Sequence, residues 1–167
     1  MVIDLVIPCA EWLEIAEIKT AVSKCARQAV QAAMPEAAED VEISIVLGSD
    51  EFIRGLNSQY KDKDKPTNVL SFPSGECVMD EPGPKLLGDV ILAYETISAE
   101  AEAQGKSVLN HACHLTVHGI LHLLGFTHDE KKLAQHMEQL EIDILASLGL
   151  PNPYLSQSNA CIEGGEI

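Results

Sequence analysis

The sequence predicts an α+β fold, a single domain in which a mixed sheet of about four strands packs with about five helices. Three observations predict it. The chain has 167 residues, a length typical of one domain. Apolar residues make up 46% of the chain, which is enough for a buried core. Their spacing switches between the strand period and the helix period in the order β-α-β-α-β-β-α-α-α, without an internal repeat.

The first part of the chain predicts a strand, a helix and a second strand. The run 2–8 is rich in β-branched residues and ends at a proline. Residues 11–34 carry apolar side chains at helical spacing, and Pro35 ends that helix because it cannot continue the hydrogen-bond ladder. The run 41–48, "VEISIVLG", alternates polar and apolar residues and therefore predicts a strand.

The middle of the chain predicts a second helix and two further strands. Ser49 or Asp50 can cap a helix over "DEFIRGLNSQY", because a short side-chain oxygen can accept from the free amides of the first turn. A strand is expected over 68–74 and another over 86–95, which contains Asp89. The turn-rich segment between these strands predicts a hairpin connection.

The last part of the chain predicts three helices. A short helix is expected over 96–105, capped by Thr96 and closed by its final glycine. A long helix follows over 108–124, and the last helix runs from about 129 to Gly149. We expect the single domain to span residues 1–155 and the polar tail 156–167 to be mobile.

Composition and charge limit the classes of function. The net charge of −15 argues against broad, non-specific attraction to nucleic acid. Four of the eleven cations lie within twelve residues, which leaves open either a local basic strip or a solvated loop whose lysines are offset by neighbouring aspartates. These cations are Arg54, Lys61, Lys63 and Lys65.

Cysteine usage and hydropathy predict a cytoplasmic protein that does not span a membrane. The five cysteines are an odd number without paired spacing, which favours reduced, buried thiols. No run of about eighteen apolar residues is present, and the N-terminus does not resemble a secretion signal. Cys113 lies close to several histidines, so its use as a metal ligand remains an alternative.

The stretch "HGILHLLGFTH" predicts a metal site. His118 and His122 are one helical turn apart, so both imidazoles can reach one ion. Gly125 can end the helix in a left-handed conformation, after which His128 can return toward the same point. Three protein ligands leave one tetrahedral position open, as in catalytic zinc sites. An isolated histidine would more often be a satisfied core residue, but three unpartnered buried imidazoles would cost free energy.

The other histidines are assigned less definite roles. His111 and His114 fall on the same helical face as His118, where they either contact the ligands or occupy the exposed start of the helix. His136 lies in the last helix, either on the surface or against a ligand. Three neutral nitrogens suit zinc, copper, nickel or iron, and zinc is expected because it supports hydrolysis without redox chemistry.

The spacing of the three histidines is shared with the long zinc-protease motif, but one position differs. In that motif the residue after the first histidine is glutamate, the general base. Gly119 occupies this position here, which disfavours peptide hydrolysis by the usual route.

Three blocks of the sequence together resemble the YbeY-type endoribonucleases, also called bacterial rRNA maturation factors. The blocks are "LNSQYKDKDKPTNVLSFP", "LGDVILA" and "HGILHLLGFTH", and the resemblance covers residues 40–148. It implies a single-domain α+β fold, one bound zinc ion, and cleavage of single-stranded RNA. It also implies roles in maturing the 3′ end of small-subunit ribosomal RNA and in ribosome quality control, with ribosomal RNA and the ribosome or ribosome-associated proteins as partners.

The resemblance also implies roles for individual residues. The family's metal ligands match His118, His122 and His128. The family usually has an arginine where Lys61 stands, which keeps the charge but loses the two-pronged donor geometry for phosphate. The family's aspartate before the last histidine is Thr127 here.

Further residues are candidates for the catalytic machinery. We expect Lys61, with Lys63 or Lys65, to neutralise phosphate charge. Asn68, Ser71 and Asp89 are candidates to line the cleft, and Asp89 is also a candidate to orient a histidine. Simple strand polarity would equally explain Ser71 and Asp89. Two rival functions stay open, a zinc-dependent hydrolase of another class such as a peptidase, and a non-catalytic, metal-stabilised ribosome-assembly factor.

Overall fold

The computed structural model describes residues 1–61, 67–75 and 83–155. Within these ranges it confirms the predicted α+β class, with one four-stranded mixed sheet and five α-helices in the predicted order. The strands are β1 (Val2–Val6), β2 (Val41–Gly48), β3 (Val69–Pro73) and β4 (Lys85–Ala93). The helices are α1 (Ile18–Ala33), α2 (Asp50–Lys61), α3 (Tyr94–Gln104), α4 (Val108–Leu123) and α5 (Lys131–Ser147).

The sheet has the strand order β1-β2-β4-β3. The first three strands in this order are parallel, and β3 pairs antiparallel with β4. Ser71 lies opposite Val90 in this pair, and Phe72 lies opposite Asp89. Because successive side chains alternate between the two faces of a strand, these two pairs project from opposite faces of the sheet.

The two faces of the sheet carry different helices. Val90 and Leu92 belong to the main core, where α1 and α4 pack. Ile91 and Ala93 belong to a smaller cluster on the other face, together with Ile53 of α2. The long histidine-bearing helix therefore lies on the face from which Ser71 projects.

A glycine lets α4 approach the sheet closely. A Cβ atom at Gly119 would lie 2.7 Å from Val90 Cγ1 and 3.2 Å from Ser71 Oγ. Carbon atoms in ordinary contact are about 3.5–4.0 Å apart, so no larger residue fits here without displacing the sheet or the helix. Position 119 thus faces β3 and β4, and this packing supplies a structural reason for glycine.

The first predicted helix, over 11–34, is interrupted in the structure. Ala10–Glu14 form a short 3-10 helix, and α1 begins only at Ile18, after Glu17 takes a left-handed φ of 66°. Trp12, in this short helix, is fully buried and donates its indole N–H to the Gly48 carbonyl at 2.9 Å. A straight helix from residue 11 would ignore this contact with the end of β2.

The predicted cap at Thr96 is also different. Helix α3 begins at Tyr94, directly after β4, and Thr96 lies inside its first turn. The Thr96 amide and hydroxyl each donate to Asp50 Oδ1 at 2.9 Å, while the Asp50 amide donates to Glu95 Oε1 at 2.9 Å. The starts of α2 and α3 therefore satisfy each other's free amides, a contact that local sequence cannot show.

No helix in the described part of the chain is long and apolar enough to cross a membrane. The described residues reach Leu155, the boundary predicted for the domain, and that boundary stays a prediction. The predicted mobile tail, 156–167, lies outside the described residues.

Candidate metal centre

Helix α4 carries the first two candidate ligands and ends where the sequence predicted. Ser107 caps its N-terminus by accepting from the Asn110 amide at 3.0 Å. At its C-terminus Gly125 has a φ of 96°, the left-handed conformation expected of it. The Gly125 amide donates to His122 O and the Phe126 amide to Leu121 O, which is the Schellman arrangement. The chain then turns back and brings His128 beside the helix.

The three predicted imidazoles meet at one point. The ring centroids of His118 and His122 are 4.5 Å apart, and that of His128 lies 5.8 Å from the first and 4.9 Å from the second. One nitrogen from each ring lies within 4.8 Å of the other two. The rings border a cavity of about 480 Å³ that Asn68 and Ser71 also line.

The hydrogen bonds of the ring nitrogens fit a metal ion. His118 Nδ1 bonds to Glu141 Oε2 at 2.9 Å, and His122 Nδ1 bonds to the Phe126 carbonyl at 3.0 Å. Because both partners are acceptors, each Nδ1 carries the proton and each Nε2 presents a lone pair. The two Nε2 atoms are 3.0 Å apart. Two ligands of a tetrahedral zinc ion would be about 3.3 Å apart, so a shared cation suits this pair.

The electrostatics keep His122 neutral, as a metal ligand must be. Burial lowers the pKa of His122, and the neighbouring His118 lowers it further. His128 is more exposed than the two helix histidines, so the cavity opens to solvent on its side.

A buried carboxylate that the sequence analysis missed supports the site. Glu141 of α5 is fully buried and accepts three hydrogen bonds, from His118, His114 and the Tyr154 hydroxyl. The bonds from His114 and Tyr154 are both 2.6 Å long. Burial alone would raise the pKa of Glu141, but these bonds outweigh it and lower the pKa to about 2. The carboxylate therefore stays ionised and fixes the His118 ring.

Glu141 had a weak signal in the sequence. It lies on the buried stripe of α5, four residues after Met137, three before Ile144 and four before Leu145. A charged residue on an apolar helical stripe needs a partner, because an unpaired buried charge is costly. Tyr154 had no such signal, since it follows the last helix; burial and the bond to Glu141 raise its pKa.

The other histidines now have definite surroundings. His114 bonds to Glu141, so it supports the site through the carboxylate that holds the His118 ring. His114, His118 and Glu141 also form a second group of convergent ligand atoms. His111 is buried and bonds to Glu100 Oε1 at 2.9 Å. His136 is exposed, with its ring 5.9 Å from that of Phe126.

The alternative ligand Cys113 has a different neighbour. Cys113 is buried in the core, where its thiol interacts with that of Cys25 on α1 and raises the pKa of the Cys25 thiol. It is not part of either group of convergent ligand atoms found in the described residues.

The structure places the non-histidine candidates in different regions. Ser71 lines the cavity, and its hydroxyl donates to the Gly119 carbonyl at 2.9 Å. Asp89 is exposed on the sheet face of Ile91, opposite the face that carries α4. Asp89 therefore does not contact the three histidines. The carboxylate that orients a histidine is that of Glu141, which bonds to His118. Lys61 is the last residue of α2, and its side chain lies outside the described part of the structure, as do Lys63 and Lys65.

Comparison with known proteins gives consistent matches. The profile of the family described as Endoribonuclease YbeY matches residues 11–149 of this chain. Several proteins named Endoribonuclease YbeY are similar to this chain, and two of them match nearly its whole length. The one from Paramagnetospirillum magneticum is 48% identical over 158 residues, which cover 90% of this chain and 94% of that protein. The one from Azorhizobium caulinodans is 44% identical over 154 residues, which cover 92% and 96%.

A solved structure shares the fold. The solution structure of TM1509 from Thermotoga maritima superposes with a TM-score of 0.52 and covers 88% of this chain and 91% of that one. Its sequence identity is 20%, so this likeness concerns the fold alone.

Proposed function

The chain belongs to the YbeY family of endoribonucleases, and from this membership we propose that it is a zinc-dependent enzyme that cleaves single-stranded RNA. We further propose that it acts in ribosomal RNA maturation, notably at the 3′ end of the small-subunit RNA, and in ribosome quality control. The observation that carries the metal dependence is the convergence of three imidazoles, two of which have their Nδ1 protons bonded to acceptors.

His118, His122 and His128 would hold the metal, with one tetrahedral position left for a ligand from solvent or substrate. Zinc would supply Lewis-acid chemistry there, toward a phosphate oxygen or toward water. Glu141 keeps the His118 ring in the orientation and tautomer that direct its Nε2 into the cavity. The Phe126 carbonyl does the same for His122.

The chain's other residues contribute binding and orientation. The Ser71 proton is held by the Gly119 carbonyl, so its oxygen can accept a hydrogen bond but its hydroxyl is not poised to attack. We propose that Lys61 neutralises phosphate charge, supported by the resemblance of its sequence block to the family pattern. Asp89 has no part in this proposal because it lies on the far face of the sheet.

The charge of the chain bears on its partners and location. With a net charge of −15, long-range attraction to RNA is weak. We therefore propose that substrate choice depends on the local cleft and on contact with the ribosome or ribosome-associated proteins. A cytoplasmic location is supported by the free, buried thiols of Cys9, Cys25 and Cys113.

Two other functions fit less well. A peptidase of the usual zinc type needs a glutamate at position 119, and the contact with Val90 leaves no space for one. A non-catalytic assembly factor would keep the metal site for stability. It predicts ribosome association that survives loss of the ligands, and no cleavage by the purified protein.

One experiment separates these functions. Purified protein is incubated with a defined single-stranded RNA and with casein, with and without a chelator, and the metal content of the same batch is measured. We expect RNA cleavage that requires the metal, about one zinc ion per chain, and intact casein. Cleavage that is indifferent to the chelator would overturn the metal dependence, and intact RNA with full zinc content would favour the assembly factor.

A further inference from the structure

Asn68 has a place in the cavity that the mechanism above does not use. It precedes β3 and lines the cavity together with the three histidines. Its backbone is fixed, because its carbonyl accepts from the Ala93 amide at 2.9 Å. Its side chain therefore starts from a rigid position at the edge of the candidate metal centre.

The orientation of the Asn68 side chain is determined by Glu100 of α3. Its Nδ2 donates to the two carboxylate oxygens of Glu100, at 3.0 and 3.4 Å. The reverse orientation would place the carbonyl oxygen of the amide against two acceptors, which is repulsive. Oδ1 must therefore point away from Glu100, and within the described residues it accepts no hydrogen bond.

Glu100 is held in turn by the core of α4. His111 bonds to its Oε1 through Nε2 at 2.9 Å. Burial lowers the pKa of His111, so the ring is neutral and uses its single proton for this bond. The carboxylate thus remains an acceptor toward Asn68, and the hydrogen bonds from His111 to Glu100 and from Asn68 to Glu100 fix the orientation of a carboxamide group that lines the cavity.

The amide oxygen of Asn68 can accept a hydrogen bond but cannot donate one, which is unusual in a site that binds a polyanion. It repels phosphate oxygens and needs a donor from the substrate. The sugar-phosphate backbone of RNA offers one such donor, the 2′-hydroxyl, which DNA lacks. We propose that Asn68 Oδ1 accepts a hydrogen bond from a ribose 2′-hydroxyl near the scissile phosphate, so that Asn68 selects RNA over DNA. This inference rests on the proposed ribonuclease function.

The test uses the zinc-loaded protein and oligonucleotides that carry a single 2′-deoxy substitution at successive positions. Affinity and cleavage are measured for the wild type and for Asn68→Ala. We expect the wild type to lose about three- to tenfold in affinity at one position, the value of one hydrogen bond. We expect Asn68→Ala to show the same loss on all-RNA and no further loss when that position is 2′-deoxy.

Glu100→Gln serves as a second variant that keeps Asn68 but removes the charge that orients it. We expect it to reduce the discrimination at the same position while its zinc content and melting temperature stay within the range of the wild type. If Asn68→Ala does not fold, the scan of the wild type decides, because a scan without a position-specific loss overturns the proposal.

Two other outcomes also overturn it, and a third bears on the ribonuclease function alone. If the affinity depends on the amino groups of the bases and not on the 2′-hydroxyl, Oδ1 recognises a base. A lower turnover with unchanged affinity for every oligonucleotide would assign it to the attacking water. Failure of the wild type to cleave any RNA, with RNA binding and the 2′-deoxy effect preserved, would refute the ribonuclease function and leave the sugar contact standing.

Discussion

Replacement of Glu141 by glutamine tests the supporting network most directly. The substitution keeps the size of the side chain but removes its charge and one of its acceptors. Glu141 is fully buried and accepts from His114, His118 and Tyr154, so the new amide group would face at least one donor. A buried polar group left without a partner costs about 1–3 kcal/mol.

The pKa of Glu141 gives an independent value for its contribution to the free energy of unfolding. Its pKa is lowered to about 2, from a usual value of 4.5. At about 1.4 kcal/mol per pKa unit, the ionised form contributes about 3 kcal/mol to the free energy of unfolding at neutral pH. Because the folded pKa is the lower one, this contribution is present above pH 4.5 and is lost as the pH falls toward 2.

We therefore expect Glu141→Gln to lose about 3 kcal/mol of unfolding free energy at pH 7, and to bind zinc about 10- to 100-fold more weakly. Urea unfolding measures the first quantity, and competition with a zinc chelator measures the second. Asp143→Asn is the matched control, since Asp143 is an exposed acidic residue on the same helix. It should change stability by less than about 0.5 kcal/mol. If Glu141→Gln behaves like this control in both assays, the reasoning about the network is refuted.

Three further substitutions test the ligands, the packing and the phosphate contact. His122→Ala should lose its zinc in elemental analysis, whereas the exposed His136→Ala should retain it; full zinc occupancy in His122→Ala contradicts the ligand assignment. Gly119→Ala should destabilise the protein by about 1–3 kcal/mol in urea unfolding, because its Cβ would meet Val90 Cγ1 at 2.7 Å. Helix propensity alone predicts that Gly119→Ala gains about 1 kcal/mol of stability, so the sign of the measured change shows whether the contact with Val90 dominates. Adding Val90→Ala to Gly119→Ala should recover part of the lost stability. Lys61→Ala should lower RNA cleavage at unchanged zinc content; equal cleavage rates would remove Lys61 from the site.

The spacing of apolar residues along the sequence determined the order of the strands and helices. Alternation over 41–48 and helical spacing over 108–124 are local properties, because each reports which side chains share a face. The ends of elements were less well determined. Trp12 and Thr96 make contacts with β2 and α2, more than thirty residues away in sequence, and these contacts move the starts of α1 and α3.

The candidate ligands could be found because they are close in sequence. His118 and His122 share a helix, and a helix fixes the direction of side chains four residues apart. Gly125 sets the turn after them, so the position of His128 follows within a few residues. Glu141 had only the weak signal of a charge on an apolar stripe, and its partner could not be named without knowing how α5 packs on α4.

The sequence by itself thus determined the class of fold, the order of its elements and a cluster of three histidines, since short-range geometry governs all of these. Only the tertiary structure decided which carboxylates and amides meet the cluster. Asp89 and Ser71 looked equivalent as strand residues, and the sheet places them on opposite faces. Strand alternation says that neighbouring residues face opposite ways, but the packing of helices on the sheet decides which face contains the site.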